Sequence, residues 1–120
     1  MLVKLRTVPK FYLLHADGVG EYAMRRGDGA RCLFVFTGRK TICDFIERME
    51  QPEHKAFTAV DFDSAQLLGL LREVLPQNRF VAVNPVANCQ FSPIEMQDFV
   101  RALGASDGWV EDGNDVGSPP

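Results

Sequence analysis

The stretch from Arg31 to Glu50, RCLFVFTGRKTICDFIERME, changes its hydrophobic period partway along. Cys32 to Phe36 is an unbroken apolar run of strand length, which reads as a buried strand. After the break at Thr37-Gly38, the apolar residues Ile42, Phe45, Ile46 and Met49 recur at helical spacing, so a strand feeds directly into a helix. The residues before this unit read as β-hairpins and those after it repeat the strand-then-helix phrase. The unit therefore belongs at the centre of a sheet.

On the N-terminal side, Phe11 to Ala16 forms a first strand. Asp17-Gly18 follows it, a pair that accepts the positive φ angles of a tight hairpin turn. A second and less apolar strand runs from about Glu21 to Arg26 and suits an edge position. Gly27-Asp28-Gly29 then leads into the central strand, and the simplest arrangement of the three is an antiparallel meander. The first helix is expected from about Thr41 to Met49, capped by Thr41 and Asp44, or earlier with Thr37 as the cap. Pro52 ends it.

Lys55 to Phe62 reads as a fourth strand. Asp63 or Ser64 caps a second helix, with Gln66 three residues after Asp63 and with Leu67, Leu70, Leu71 and Val74 as the buried stripe. Pro76 marks its end, Arg79 to Val83 is a fifth strand, and Asn84-Pro85 turns the chain out of it. Ser92-Pro93-Ile94-Glu95 has the form of a capping box with proline in the first helical position. Met96, Phe99, Val100 and Leu103 face the core beyond it, and Gly104 stops the helix.

The expected order is β-β-β-α-β-α-β-α, an α+β domain over residues 1–105 in which helices pack on a mixed sheet. Residues 106–120 read as an acidic, Gly- and Pro-containing disordered tail with Trp109 and Val110 as its only anchors. With 120 residues, 46% of them hydrophobic, the chain is large enough for one core without disulfides or metal.

The formal charge of −3 resides in the tail: setting aside Asp107, Glu111, Asp112 and Asp115 leaves twelve acidic against thirteen basic residues. That balance argues against a broad phosphate-binding surface, so nucleic acid is not an expected partner. Cys32, Cys43 and Cys89 lack metal-site spacing and suit a reducing compartment. Lys4, Arg6, Pro9 and Lys10 interrupt any signal-peptide core, and no segment approaches the roughly 20 apolar residues of a membrane span. The expected location is the cytoplasm.

Motifs that would name a reaction are missing. Gly38-Arg39-Lys40-Thr41 sits between a strand and a helix as a phosphate loop would, but Arg39 and Phe34 stand where that loop needs glycine. A helix N-terminus with Arg39 and Lys40 beside it can still attract an anion, although two solvated cations in a surface turn is the plainer reading. Cys89 would need a base to act as a nucleophile. His15 alternates with Phe11 and Leu13 as a structural residue does, and His54 carries no signature. No metal or other cofactor is implied.

Three segments, LFVFTGRKTICDFIERM, VDFDSAQLLGLL and RFVAVNPVANCQFSPIEMQDF, together resemble the SseB-like domain of the enhanced serine sensitivity proteins. In that family one strand ends in a Phe-Thr-Ser-like turn before a helix, and a later strand ends in Asn-Pro. Phe36-Thr37 and Asn84-Pro85 match these features. Gly38 replaces the usual serine, and the loop after Pro85 lacks the usual glycine. The resemblance, covering about Phe11 to Leu103, implies a small α+β domain without established catalytic residues.

It also brings Thr37 and Asn84 together if their strands are neighbours. The expected function is a non-enzymatic interaction or regulatory module that binds a protein partner. The alternative is a sensor or enzyme for a small anionic ligand. Both use a surface of Thr37, Gly38, Arg39, Lys40 and Asn84, where ligands of open parallel sheets tend to bind.

Overall fold

The computed structural model describes residues 2–16, 24–26, 31–48, 57–74, 78–86, 93–105 and 108–111. Within these the order is β1 (Leu2–Lys4), a 3-10 turn (Leu5–Thr7), β2 (Phe11–Ala16), β3 (Met24–Arg26), β4 (Arg31–Val35) and α1 (Arg39–Arg48). It continues with β5 (Phe57–Phe62), α2 (Ser64–Val74), β6 (Phe80–Val83), β7 (Ile94–Glu95), α3 (Met96–Gly104) and β8 (Trp109–Glu111). The architecture is α+β. No helix of the described residues is long and apolar enough to cross a membrane.

The central sheet runs β3-β4-β6-β7, with β4 and β6 parallel and the outer pairs antiparallel. Alternation along a strand sends successive side chains to opposite faces, and here both faces are covered. Leu33 and Val35 of β4, Val81 and Val83 of β6, and Phe11 and Leu13 of β2 join Leu67 and Leu71 of α2 and Met96 and Phe99 of α3. Cys32, Phe34, Phe36, Ala82 and Leu14 instead join Ile42 and Phe45 of α1. Coverage on two faces is why the run Cys32 to Phe36 is apolar at every position. Of the two described cysteines, Cys32 is buried in this run and Cys43 is exposed on α1.

Among the described residues, the second half of the expected meander forms and the first does not. β3 pairs with β4 and lies at the end of the sheet, as its polarity suggested, whereas β2 pairs antiparallel with β5 from Phe11↔Phe62 to Ala16↔Phe57. β3 is three residues long. Past its end β2 comes alongside the chain leaving β4, where Tyr12 and Phe36 exchange both main-chain hydrogen bonds (2.8 and 2.9 Å). With Tyr12 and Leu14 facing one core and Phe11 and Leu13 the other, β2 requires burial on both sides. A terminal hairpin would not provide it.

The second helix starts as its sequence indicates. Gln66 N–H donates to Asp63 Oδ1 (2.8 Å) and Asp63 N–H to Gln66 Oε1 (3.0 Å), a reciprocal capping box. Asp63→Ala is expected to cost about 1 kcal/mol in chemical unfolding, because one N–H of the first turn loses its acceptor. A cost indistinguishable from zero would mean that water caps this helix equally well. The helix closes on Asn78, whose N–H and Nδ2 both donate to the Val74 carbonyl (3.1 and 3.0 Å).

The third helix begins later than expected. Ile94 and Glu95 pair with Val81 and Phe80 as β7, Met96 N–H donates to the Arg79 carbonyl (2.8 Å), and Glu95 caps α3 in an extended conformation without a side-chain bond. The open edge of β6 takes these residues into the sheet, so Pro93 precedes a strand rather than opening a helix. At the other end Gly104 is still helical, and Ala105 is the cap.

Trp109 and Val110, expected as anchors, lie in β8, which pairs with β1 at the start of the chain. Gly108 leads into it against the end of α3, where a Cβ would collide with the Ala102 main chain, so glycine alone fits. This pairing places Trp109–Glu111, expected in the tail, in a two-stranded sheet with Leu2–Lys4. Asp17-Gly18, Gly27-Asp28-Gly29, Met49, Pro52, His54, Pro76, Cys89, Ser92 and residues 112–120 lie outside the described residues.

Candidate functional site

Parallel pairing of β4 with β6, Val35 opposite Val83, brings the turns that follow these strands together. Asn84 N–H donates to the Val35 carbonyl (2.8 Å). In a regular parallel ladder the Asn84 carbonyl would next accept the Thr37 N–H. Asn84 instead takes the left-handed conformation, φ 54°, which turns its carbonyl away, and its side chain substitutes. Thr37 N–H donates to Asn84 Oδ1 (2.8 Å), and Asn84 Nδ2 donates to Thr37 Oγ1 (2.8 Å). Asparagine suits this position because its short amide hydrogen-bonds locally and it tolerates positive φ better than most residues.

Both residues are half-buried, so each of these hydrogen bonds is partly shielded from water. The Thr41 hydroxyl has one proton. It donates to the Gly38 carbonyl at 2.7 Å and stands 3.4 Å from Asn84 Oδ1. The first helical hydrogen bond, Ile42 N–H to Gly38 carbonyl at 3.3 Å, makes Gly38 the cap residue of α1. This corrects both expected caps. Thr41 is already inside the helix, and the Thr37 hydroxyl is bonded across the sheet to Asn84.

Asp44, the other half of the expected pair, binds Lys40 (3.2 Å) one turn away on the exposed face, an arrangement that contributes little to stability. A Cβ at Gly38 would meet Thr41 Oγ1 at 3.8 Å, an ordinary contact, so the turn does not depend on glycine there.

All five expected residues thus come together at one end of β4 and β6. Thr37, Gly38 and Asn84 form the brace, while Arg39 and Lys40 project from the start of α1 into solvent. Arg39 makes no ion pair or hydrogen bond with the described residues. Thr41 was weighed in the sequence as a cap and as the end of a phosphate-loop-like turn. Its hydroxyl is held by the Gly38 carbonyl and lies near Asn84 Oδ1.

Behind the brace Phe45 lies edge-on to Phe34 and Phe36, with ring centroids 5.5 and 5.2 Å apart, and anchors α1 to the sheet. The chain matches no protein-family model, and no curated protein matches it in sequence.

Proposed function

We propose that the chain is a non-enzymatic, cytoplasmic interaction or regulatory module of SseB-like type, presenting the turn 37–41 to a protein partner. The observation that carries this reading is that the polar groups at the site are spent on one another. The Thr37 N–H and hydroxyl oxygen are bonded to the Asn84 amide, and the Thr41 hydroxyl beside them donates to the Gly38 carbonyl. Such a set braces a surface and does not supply a nucleophile with its base. What it leaves outward is the Arg39 cation, with Lys40 beside it in a surface pair with Asp44, a feature suited to a partner with complementary charge.

A second reading, a sensor or enzyme for a small anion, is favoured by the N–H groups of the first turn of α1 with Arg39 beside them. Two measurements separate these readings. A photo-crosslinking residue at position 40 is expected to give one discrete protein adduct in cells, lost on Arg39→Glu. The same residue at Arg101 on α3 should give none. Thermal unfolding against a panel of small anions, nucleotides and amino acids is expected to show no shift. A ligand of the folded state at one hundred times its dissociation constant would add about 2.7 kcal/mol. A clear shift that Arg39→Ala abolishes, with no adduct from position 40, would replace the interaction reading with the sensor reading.

A further inference from the structure

Of the two edges of β5, one is taken by β2. Their register runs from Phe11↔Phe62 to Ala16↔Phe57, and among the described residues β5 pairs with no other strand. Which main-chain groups this leaves over follows from Tyr12, whose N–H and carbonyl both bond to Phe36, on the side of β2 away from β5. The N–H and carbonyl of a strand residue leave on the same edge. Tyr12↔Asp61 and, two residues on, Leu14↔Ala59 are therefore non-hydrogen-bonded pairs. The ladder bonds run through Phe11↔Phe62, Leu13↔Val60 and His15↔Thr58 instead. The Thr58 hydroxyl reaches the His15 carbonyl (3.4 Å), which places that carbonyl on the β5 side as the alternation requires.

Ala59 and Asp61 accordingly turn their N–H and carbonyl groups outward, along the edge that β2 does not cover. None of these groups bonds to a described residue. Both residues are exposed, and their two donor–acceptor sets stand about 7 Å apart, the repeat of an antiparallel ladder.

Proteins ordinarily blunt such an edge with a bulge, a proline, lysines or a very short strand. β5 has six residues, no proline and no lysine, and its register with β2 is unbroken. Its one charge is Asp61. That carboxylate forms no ion pair or hydrogen bond with a described residue, whereas the nearby Asp63 carboxylate is committed to the cap of α2. Tyr12, directly opposite Asp61, packs with the cluster of Phe34, Phe36 and Phe45, so Asp61 stands on the α1 side of the edge.

We propose that this edge of β5 receives an extended basic segment of a partner protein, which adds as an antiparallel strand to Ala59 and Asp61 and sets a Lys or Arg beside Asp61. The unpaired main-chain groups specify the extended form of the occupant, and the lone carboxylate specifies its charge. A second copy of the chain fits less well, because it brings a formal charge of −3 to meet −3 and adds its own Asp61 to the edge.

Amide hydrogen exchange of the full chain is the first test. The Val60 N–H should be protected, and those of Ala59 and Asp61 should exchange rapidly. Protection of Ala59 at every concentration would mean that the chain covers this edge itself, and protection that grows with concentration would mean that a second copy does. Either result overturns the proposal.

Random peptides displayed on phage are then selected against the chain. The enriched sequences should alternate β-branched residues with Lys or Arg, slow the exchange of Ala59 and Asp61, and shift amide resonances centred on residues 58–62. Asp61→Lys should weaken their binding by about tenfold or more. Ala59→Pro should do the same, since it removes an outward N–H that the ladder with β2 does not use. Should Ala59→Pro fail to fold, methylation of the peptide's main-chain nitrogens replaces it and should abolish binding. No enriched peptide, peptides that leave residues 58–62 unshifted, or undiminished binding to Asp61→Lys would each overturn the proposal, and Asp61 would then only guard the edge against unwanted pairing.

Discussion

Phe36→Ala is expected to cost about 3–5 kcal/mol in urea unfolding, the range for removing a fully buried aromatic side chain. Phe36 has no exposed surface, and its ring meets Phe45 edge-on at 5.2 Å. Its main chain also exchanges two hydrogen bonds with Tyr12, the link by which β2 adjoins β4. Alanine keeps those main-chain bonds but leaves a cavity between the sheet and α1 that packed neighbours fill only partly. Phe36→Leu, which keeps most of the volume, should cost about 1.5 kcal/mol or less if it repacks without strain. A cost for alanine below about 1 kcal/mol would mean that α1 collapses onto the sheet without this ring. The position of Arg39 and Lys40 would then not be rigidly determined.

For Asn84→Ala the expected loss is about 2–4 kcal/mol, made of two mechanisms that further variants separate. Alanine removes both side-chain bonds, leaves the half-buried Thr37 N–H without its acceptor, and carries a Cβ into the left-handed region. Asn84→Gly removes the same bonds but accepts φ 54° freely, so it should recover about 1 kcal/mol of the loss.

Asn84→Asp should be the mildest of the three. Its carboxylate still accepts from Thr37 N–H, the Thr37 hydroxyl can rotate to donate to it, and a negative charge beside the start of α1 is favourable. Amide hydrogen exchange gives the direct readout: the Thr37 N–H should be protected in the native chain and in Asn84→Asp, and open in Asn84→Ala. Rapid exchange of Thr37 in the native chain would contradict the brace and remove the main support for a preset surface at 37–41.

How much was legible beforehand differs from element to element, for physical reasons. β4, α1, β5 and α2 could be read because their signals are local: a strand-length apolar run, an amphipathic stripe, and the Asp63–Gln66 spacing that became a capping box. β1, β7 and β8 could not. Each is three residues or fewer, too short for a period to register, and each exists only because another strand lends it an edge. The start of α3 shows the same competition: Ser92-Pro93-Ile94-Glu95 favours a helix locally, but the open edge of β6 captured Ile94 and Glu95.

The candidate site was legible as residues and not as a mechanism. Thr37 and Asn84 could be named from the ends of two strands, but their bond depends on those strands being parallel neighbours. Separations of 47 residues along the chain carry no local signal of that kind.

Hydrophobic periodicity and turn chemistry are properties of neighbouring residues, so the sequence by itself determined that this chain would be α+β, that Cys32 to Phe36 would be a buried strand, and that a helix would follow it. Which strand lies beside which is decided by long-range burial and edge pairing. Only the tertiary structure could therefore place β2 beside β5, close the ends of the chain through β1 and β8, and turn Asn84 into the clasp that holds the start of α1.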